Sequence, residues 1–367
     1  MTKKDISEIQ IQENFENSDD IEQQKLGELP GTLIYTGEHH EKIKIKYISY
    51  DEYSYDEKVE KDLSELKIDL KSKQKIRWIT FLGVNDVEMI QEVGAKFRIH
   101  PLVLEDILNV EQRPKIEIYD DYIFVVLRFV TLDESSVELK NIQVAMIVFD
   151  NYLLTFIDDD KDYFEKIRKN IKENKGKIRK KGFDFLVYMI IDFIIDHYMY
   201  VLNQIEEKLE NVEDEIVKDP ESKDIIQLHS LKRDLLEIRN SILPVREVIF
   251  SLKRYQLDLF ELDNIYLKDL EDHVIRAINH SEALRDQVYD LIQTYLSVNN
   301  QKMNEIIKVL TLVQTFFMPL SFIAAWYGMN FEAIREFKWK YGYHYVIALT
   351  LAVSLFLLWY IKKKKWI

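Results

Sequence analysis

The chain has 367 residues, with 64 acidic side chains against 50 Lys and Arg, and it carries a net charge of −14. This excess of negative charge makes nucleic acid an unexpected partner and favours cations. The absence of cysteine excludes disulfide bonds and agrees with a reducing compartment.

The first 182 residues divide into a tail and a domain. Residues 1–30 are rich in Glu, Gln, Asn, Asp and Ser, and we expect a disordered tail there, without a signal peptide. Short β-type runs then surround two helical stretches near 86–100 and 101–108, which predicts one α/β domain. The expected β-type runs are residues 32–37, 42–50, 76–84, 115–132 and 137–157.

Long helices are expected after the α/β domain, because residues 183–327 contain no glycine and only three prolines. The first should run from about Phe183 to Lys218 and the second from Ser222 to about Leu257. A third begins near Asn264, has no breaker before Pro319, and places its apolar residues three and four positions apart.

Two apolar runs near the C-terminus, from Ile306 to Tyr327 and from Tyr343 to Ile361, are each long enough to span a bilayer. The short loop between them predicts a hairpin with both ends on one side. Four lysines at 362–365 place that side in the cytoplasm by the positive-inside rule. We therefore expect a multi-pass protein of the cell membrane, in contact with lipid, with cytoplasmic N- and C-termini.

The sequence thus predicts seven segments. In chain order these are a polar tail (1–30), a cytosolic α/β domain (31–182), long cytosolic helices (183–262), a stalk helix that continues into the first transmembrane helix (263–327), an external loop (328–342), a second transmembrane helix (343–361) and a basic cytosolic tail (362–367).

One face of the first span carries polar side chains at positions three and four apart, within an arc of roughly 100°. In hydrocarbon such side chains face protein or water, so the face is either a seam between helices or the wall of an aqueous pore. Its residues are Asn304, Ile307, Thr311, Gln314, Met318, Ser321 and Ala325.

The loop between the spans carries a family resemblance. The hexapeptide from Tyr327 to Glu332, Tyr-Gly-Met-Asn-Phe-Glu, follows the first apolar helix, and the aromatic and basic segment 338–343 precedes the second. Together with the segments 100–108 and 112–115, these motifs resemble the CorA family of magnesium channels.

The resemblance implies a funnel-shaped homopentamer in which the first span lines the pore and Gly328, Met329 and Asn330 form a selectivity loop at its external mouth. Such a loop would bind hydrated Mg²⁺ through neutral oxygens, because Mg²⁺ loses its water reluctantly. The membrane potential would drive influx, and Co²⁺ is a further candidate ion. The implied pore-lining and gate residues are Asn304, Ile307, Leu310, Thr311, Gln314, Met318, Ser321 and Ala325.

The resemblance also implies a cytosolic regulatory site, where Mg²⁺ bound between neighbouring domains closes the channel. Carboxylates suit this task because they attract a hydrated divalent ion and repel one another once it leaves. The matching residues are Glu105 and Asp106, Asp192 on the first long helix, and Asp269 on the stalk.

Other functions stay open. A membrane-tethered cytosolic Mg²⁺ sensor or scaffold without conduction is one, and Zn²⁺ transport is another. Asp269 and His273, one helical turn apart, form either a chelating pair for a transition metal or a solvated helix face. An enzyme is not expected, because no nucleophile–base pair, metal triad or glycine-rich phosphate loop has a usable spacing.

Overall fold

The computed structural model describes residues 27, 29–37, 44–64, 75–133, 138–254, 264–329 and 339–364, apart from the side chains of Lys177 and Asn264. The chain divides into two compact units. The first comprises Met1–Asn211 with Gln227–Tyr289, and the second comprises Val212–Ile226 with Asp290–Ile367.

The first unit contains a seven-stranded sheet with the order β2-β1-β3-β7-β6-β5-β4. Strands β3 and β7 pair in parallel, whereas the other neighbours are antiparallel. The strands are β1 (Lys44–Tyr50), β2 (Tyr55–Glu60), β3 (Ile76–Leu82), β4 (Lys115–Ile118), β5 (Ile123–Leu132), β6 (Leu139–Val148) and β7 (Tyr152–Ile157).

Seven α-helices and one 3₁₀ helix, Lys175–Lys180, occur in the part of the chain that the structure describes. Capping fixes two starts: the Asp86 carboxylate accepts a hydrogen bond from Met89 N, and His100 Nδ1 accepts one from Leu102 N. The α-helices are α1 (Val87–Phe97), α2 (Pro101–Leu108), α3 (Glu165–Lys172), α4 (Phe183–Lys218), α5 (Ser222–Arg254), α6 (Asn264–Tyr327) and α7 (Gly342–Lys363).

Helices cover both faces of the sheet. Side chains of α1 and α2 join one buried cluster with Phe81 and Phe156, whose rings stack at 4.7 Å. On the other face, Phe129 of β5 packs against Phe193 of α4, with ring centroids 6.1 Å apart. Because both faces are covered, the central strands are apolar on both sides.

The expected strand over residues 32–37 is wrong. This segment is extended but pairs with no strand among the described residues. Thr36 N donates to Leu108 O at the end of α2, and Val110 N donates to Thr36 Oγ1. Thr36 thus hydrogen-bonds to the end of α2 through both its backbone N–H and its hydroxyl, and not to a neighbouring strand.

The runs at 115–132 and 137–157 each contain two strands, joined by turns at 119–122 and 149–151. Strand β2 and helix α3 were not expected, because both are polar. In β2 most side chains are exposed, as is typical of a charged edge strand.

The long helices agree with the sequence. Helix α4 has the predicted bounds, α5 begins at Ser222, and α6 continues through Pro319 to Tyr327. Among the described residues, α4, α6 and α7 are each long and apolar enough to cross a membrane. Half of the apolar stretch of α4 is buried within protein, whereas the stretches of α6 and α7 are almost entirely unburied. Burial against the sheet thus accounts for the apolar composition of α4.

A buried ion pair ties α3 to the sheet. Arg168 is only 4% exposed, and its Nη1 lies 2.6 Å from Asp162 Oδ1. The same guanidinium donates to Thr80 Oγ1 and lies 4.1 Å from the ring centroid of Trp78. Lys46 of β1 contacts the other oxygen of Asp162 at 2.9 Å. Asp162 is therefore the counter-ion of two cations.

We expect Asp162→Ala to lower the free energy of unfolding by about 3–5 kcal/mol, because it leaves the Arg168 charge buried without a partner. Denaturant unfolding of the detergent-purified protein measures this change. Glu52→Ala is the matched control, since the Glu52 pair with Lys180 is exposed and should contribute less than about 1 kcal/mol. Equal losses in the two variants would contradict the assignment.

Candidate functional site

The polar face of α6 is exposed along its whole length in this chain. Each predicted pore-lining residue is exposed, and Met318 reaches 70%. The Thr311 hydroxyl donates to Ile307 O at 2.7 Å within the helix, so its oxygen can still accept a hydrogen bond from the exposed side. These exposed residues are Asn304, Ile307, Leu310, Thr311, Gln314, Met318, Ser321 and Ala325.

Helix α7 uses a different face of α6. Ile323 and Trp326 of α6 line a shallow depression together with Leu349 of α7. The half-buried or buried residues of α7 recur at helical spacing, at Gly342, Val346, Leu349, Thr350, Val353, Ser354, Leu357 and Ile361. The hairpin therefore leaves the polar face free, and that face is not the seam between α6 and α7.

Helix α6 ends at a glycine where space is limited. Gly328 N donates to Ala325 O at 3.2 Å. A Cβ atom at this position would lie 3.0 Å from Ala324 O, tighter than most real Cβ contacts, so a side chain here would require a backbone shift of a few tenths of an ångström. Close backbone approach at the helix terminus thus favours glycine at position 328. Met329 follows it as a half-buried residue, and Asn330 lies outside the described residues.

Two of the four predicted regulatory carboxylates meet between α4 and α6. His273 lies between them, with Nδ1 3.1 Å from Asp192 Oδ1 and Nε2 3.6 Å from Asp269 Oδ1. Tyr188 donates a 2.7 Å hydrogen bond to Asp269 Oδ2. The face that carries Asp269 and His273 therefore contacts α4 and is only partly solvated, with the Asp269 side chain 44% exposed.

Asp196 completes this cluster. Single ligand atoms of Asp192, Asp196 and His273 all lie within 4.8 Å of one another. Burial raises the pKa of Asp192, the charge of Asp196 raises it further, and His273 lowers it. The negative charge of Asp192 is thus under-compensated, and a divalent cation would relieve it. Carboxylates suit Mg²⁺ and the imidazole suits Co²⁺, Ni²⁺ or Zn²⁺, so the donor set fits a divalent cation.

The other two regulatory carboxylates lie on α2. Gly31 N donates to Glu105 Oε2 at 2.7 Å. Lys115 Nζ lies 2.6 Å from Asp106 Oδ2, and Gln112 Nε2 donates to Asp106 Oδ1. Burial raises the pKa of Asp106, although Lys115 lowers it. Asp106 is therefore engaged by protein groups through both of its oxygens.

The structure keeps the two pairs apart. Within the described part of a single chain, no contact joins Glu105 or Asp106 to Asp192 or Asp269. Sequence reasoning did not include Asp196, although its position one turn after Asp192 is a readable signal. The role of His273 between α4 and α6 depends on helix packing and has no such local signal.

Comparison with known proteins agrees with this architecture. Residues 73–363 match the model of the CorA-like Mg²⁺ transporter protein family. The cobalt/magnesium transport protein CorA of Thermotoga maritima is 40% identical over 344 residues, which cover 94% of this chain and 98% of that protein. The putative metal ion transporter YfjQ of Bacillus subtilis is 31% identical over 78% of this chain and 88% of its own length.

The fold is also known. The complete structure of the CorA magnesium transporter from Methanocaldococcus jannaschii matches with a TM-score of 0.73 at 24% identity, over 88% of this chain and 98% of that one. These relatives are transport proteins, in agreement with the prediction that the chain is not an enzyme. With the family match extending from the α/β domain through α7, the chain belongs to the CorA family of Mg²⁺ transporters.

Proposed function

We propose that this protein is a potential-driven channel for Mg²⁺ entry across the cell membrane, assembled as a homopentamer with α6 around the pore and both termini in the cytoplasm. The observation that carries the proposal is the polar face of α6, which α7 leaves exposed from Asn304 to Ala325. In hydrocarbon a polar face requires protein or water beside it. Cyclic symmetry supplies both, since five copies of the face enclose water.

Ion selection is assigned to the segment after α6. Gly328 allows the chain to leave the helix where a Cβ would crowd Ala324 O, and Asn330 supplies a neutral amide oxygen in each copy. A ring of such oxygens binds hydrated Mg²⁺ without removing its water. Co²⁺ is a second transported ion under this proposal, because neutral oxygens discriminate weakly among hydrated divalent ions.

Closure is assigned to the carboxylates of the first unit. The pair Glu105 and Asp106 and the pair Asp192 and Asp269 lie apart within one chain, so a site formed by all four requires two neighbouring subunits. Mg²⁺ bound there would hold the subunits in one packing, and its loss would release them through like-charge repulsion. The proposal keeps the domain limits expected from the sequence: residues 31–262 are cytosolic and residues 328–342 form the external loop.

A second candidate is a membrane-tethered divalent-cation sensor without conduction. The cluster of Asp192, Asp196 and His273 favours it, because sensing requires only this site and no pore. Zn²⁺ is a further candidate ion, because imidazole is a good Zn²⁺ ligand. The two functions differ in their need for Asn330.

We expect Asn330→Ala to abolish Mg²⁺ entry into proteoliposomes that contain a fluorescent indicator, because it removes the ring of amide oxygens. Asn299→Ala is the matched control, since Asn299 lies on α6 about 90° from the centre of the polar face. Control flux should equal that of the parent protein. Equal entry through parent, Asn330→Ala and protein-free vesicles would leave the non-conducting sensor as the better account.

A second expectation concerns internal Mg²⁺. Raising it inside the vesicles should slow entry through the parent protein, and Asp269→Asn should weaken this closure at least several-fold, because one regulatory carboxylate is lost. Asp286→Asn is the control, since Asp286 is an exposed carboxylate of the same helix. Parent-like closure in Asp269→Asn would contradict the assignment.

A third expectation concerns pH. Burial raises the folded-state pKa of Asp192 above its unfolded value of 3.8, so its stabilising contribution is present below 3.8 and is lost as pH rises through the folded value. At pH 7.5 without Mg²⁺, Asp192→Asn should therefore melt at a higher temperature than the parent, and the difference should shrink towards pH 4. Mg²⁺ should stabilise the variant less than the parent.

Thermal melting of the detergent-purified protein, with and without a chelator, measures this difference. Asp214→Asn serves as the control, because the Asp214 side chain is 78% exposed and its loss should leave melting unchanged at every pH. A lower melting temperature for Asp192→Asn at pH 7.5 would show that ionised Asp192 stabilises the protein.

A further inference from the structure

The depression beside α2 contains an ammonium group among its carboxylates. A cavity of about 460 Å³ is lined by Glu105, Asp106, Lys115 and Glu117, together with Leu29, Pro30, Thr32, Ile34 and Leu102. Three carboxylates against one ammonium leave a net charge of −2 at neutral pH. A divalent cation would balance this charge, but Lys115 already occupies part of the space.

Lys115 holds two of the carboxylates at once. Its Nζ lies 2.6 Å from Asp106 Oδ2 and 2.7 Å from Glu117 Oε1. The second oxygen of Asp106 accepts a hydrogen bond from Gln112 Nε2 at 2.5 Å. A hydrated cation that approaches Asp106 must therefore share an oxygen with a protein donor or displace that donor.

The position of Lys115 is fixed by the sheet. It is the first residue of β4, opposite Val126 of β5, and its ammonium lies 5.8 Å from the ring centroid of Phe124. The side chain is 30% exposed. Because the backbone of Lys115 is paired in the sheet, its ammonium stays within reach of both Asp106 and Glu117.

Repulsion makes the two cations competitors. A divalent ion at Asp106 would lie on the order of 5 Å from the Lys115 ammonium, where a unit and a double charge repel each other by an amount worth roughly tenfold in affinity even at the dielectric constant of water. Glu117 offers the ammonium an alternative partner, held by a 2.9 Å hydrogen bond from the Tyr119 hydroxyl.

We propose that Lys115 is a built-in competitor of the regulatory divalent cation: its ammonium holds Asp106 while the ion is absent and shifts to Glu117 when the ion binds. Lys115 thereby sets how much internal Mg²⁺ is needed for closure. This inference rests on the proposed role of Asp106 in the regulatory site.

The test measures Mg²⁺ entry into proteoliposomes over a series of internal Mg²⁺ concentrations, with the full-length protein. Lys115→Gln removes the charge and keeps most of the stem. We expect the internal Mg²⁺ concentration that halves entry to fall roughly tenfold in this variant. Lys115→Arg keeps the charge and should stay close to the parent.

Lys46→Gln is the matched control. Lys46 also lies on a strand of the sheet, and its Nζ is 2.9 Å from Asp162 Oδ2. Among its described contacts, none is with a carboxylate predicted to bind the regulatory cation. Its loss should leave the half-closing concentration unchanged. Melting of each detergent-purified variant confirms folding, and Lys115→Met replaces Lys115→Gln should the latter fail to fold.

A second measurement is independent of flux. Titration of Mg²⁺ during thermal melting should raise the melting temperature of Lys115→Gln at lower concentrations than it does for the parent. An unchanged or higher requirement for Mg²⁺ in both measurements would overturn the role of Lys115. A parent protein that never closes would instead overturn the proposed regulation, and the melting titration would then still test competition at Asp106.

Discussion

The core of a bilayer contains no water that could hydrogen-bond to polar side chains, and this constraint bears on α6 more than on any other element. One hairpin partner cannot satisfy it, because α7 packs against the apolar side of α6 near Ile323 and leaves Thr311 and Gln314 exposed. Under the proposed function, assembly and an aqueous path meet the same requirement, namely that each polar group in hydrocarbon has a hydrogen-bonding partner.

In the first unit, a related constraint is the cost of burying charged carboxylates. Much of the negative charge of the chain lies in water at little cost, but Asp106 and Asp192 are half-buried and have raised pKa values. Each has a provisional partner within its own chain, Lys115 or His273. These partners stabilise the free protein. In the proposed regulatory site Lys115 would also oppose the incoming ion, and affinity would be lowered in favour of reversible binding.

Local patterns explain what could be predicted from the sequence. The limits of α4 were readable because proline and glycine end helices by steric effects within one or two residues. Residues 32–37 were misassigned because Thr36 hydrogen-bonds to the end of α2, a distant contact that no local pattern records. The contacts of His273 with Asp192, and of Lys115 with Asp106, likewise depend on packing between distant segments. The loop at Gly328 was identified by family resemblance, and only the crowding at Ala324 O gives that glycine a physical reason.

The apolar stretch of α4 has a consequence for biosynthesis. By length and hydropathy it qualifies as a membrane segment, yet half of it is buried in protein. The last strand of the sheet ends at Ile157 and α4 begins only at Phe183. Domains generally fold as units while the chain is being made, N-terminal parts first. As α4 leaves the ribosome, a completed sheet thus offers its apolar side chains a docking surface before the insertion machinery meets α6, the first helix that must enter the bilayer.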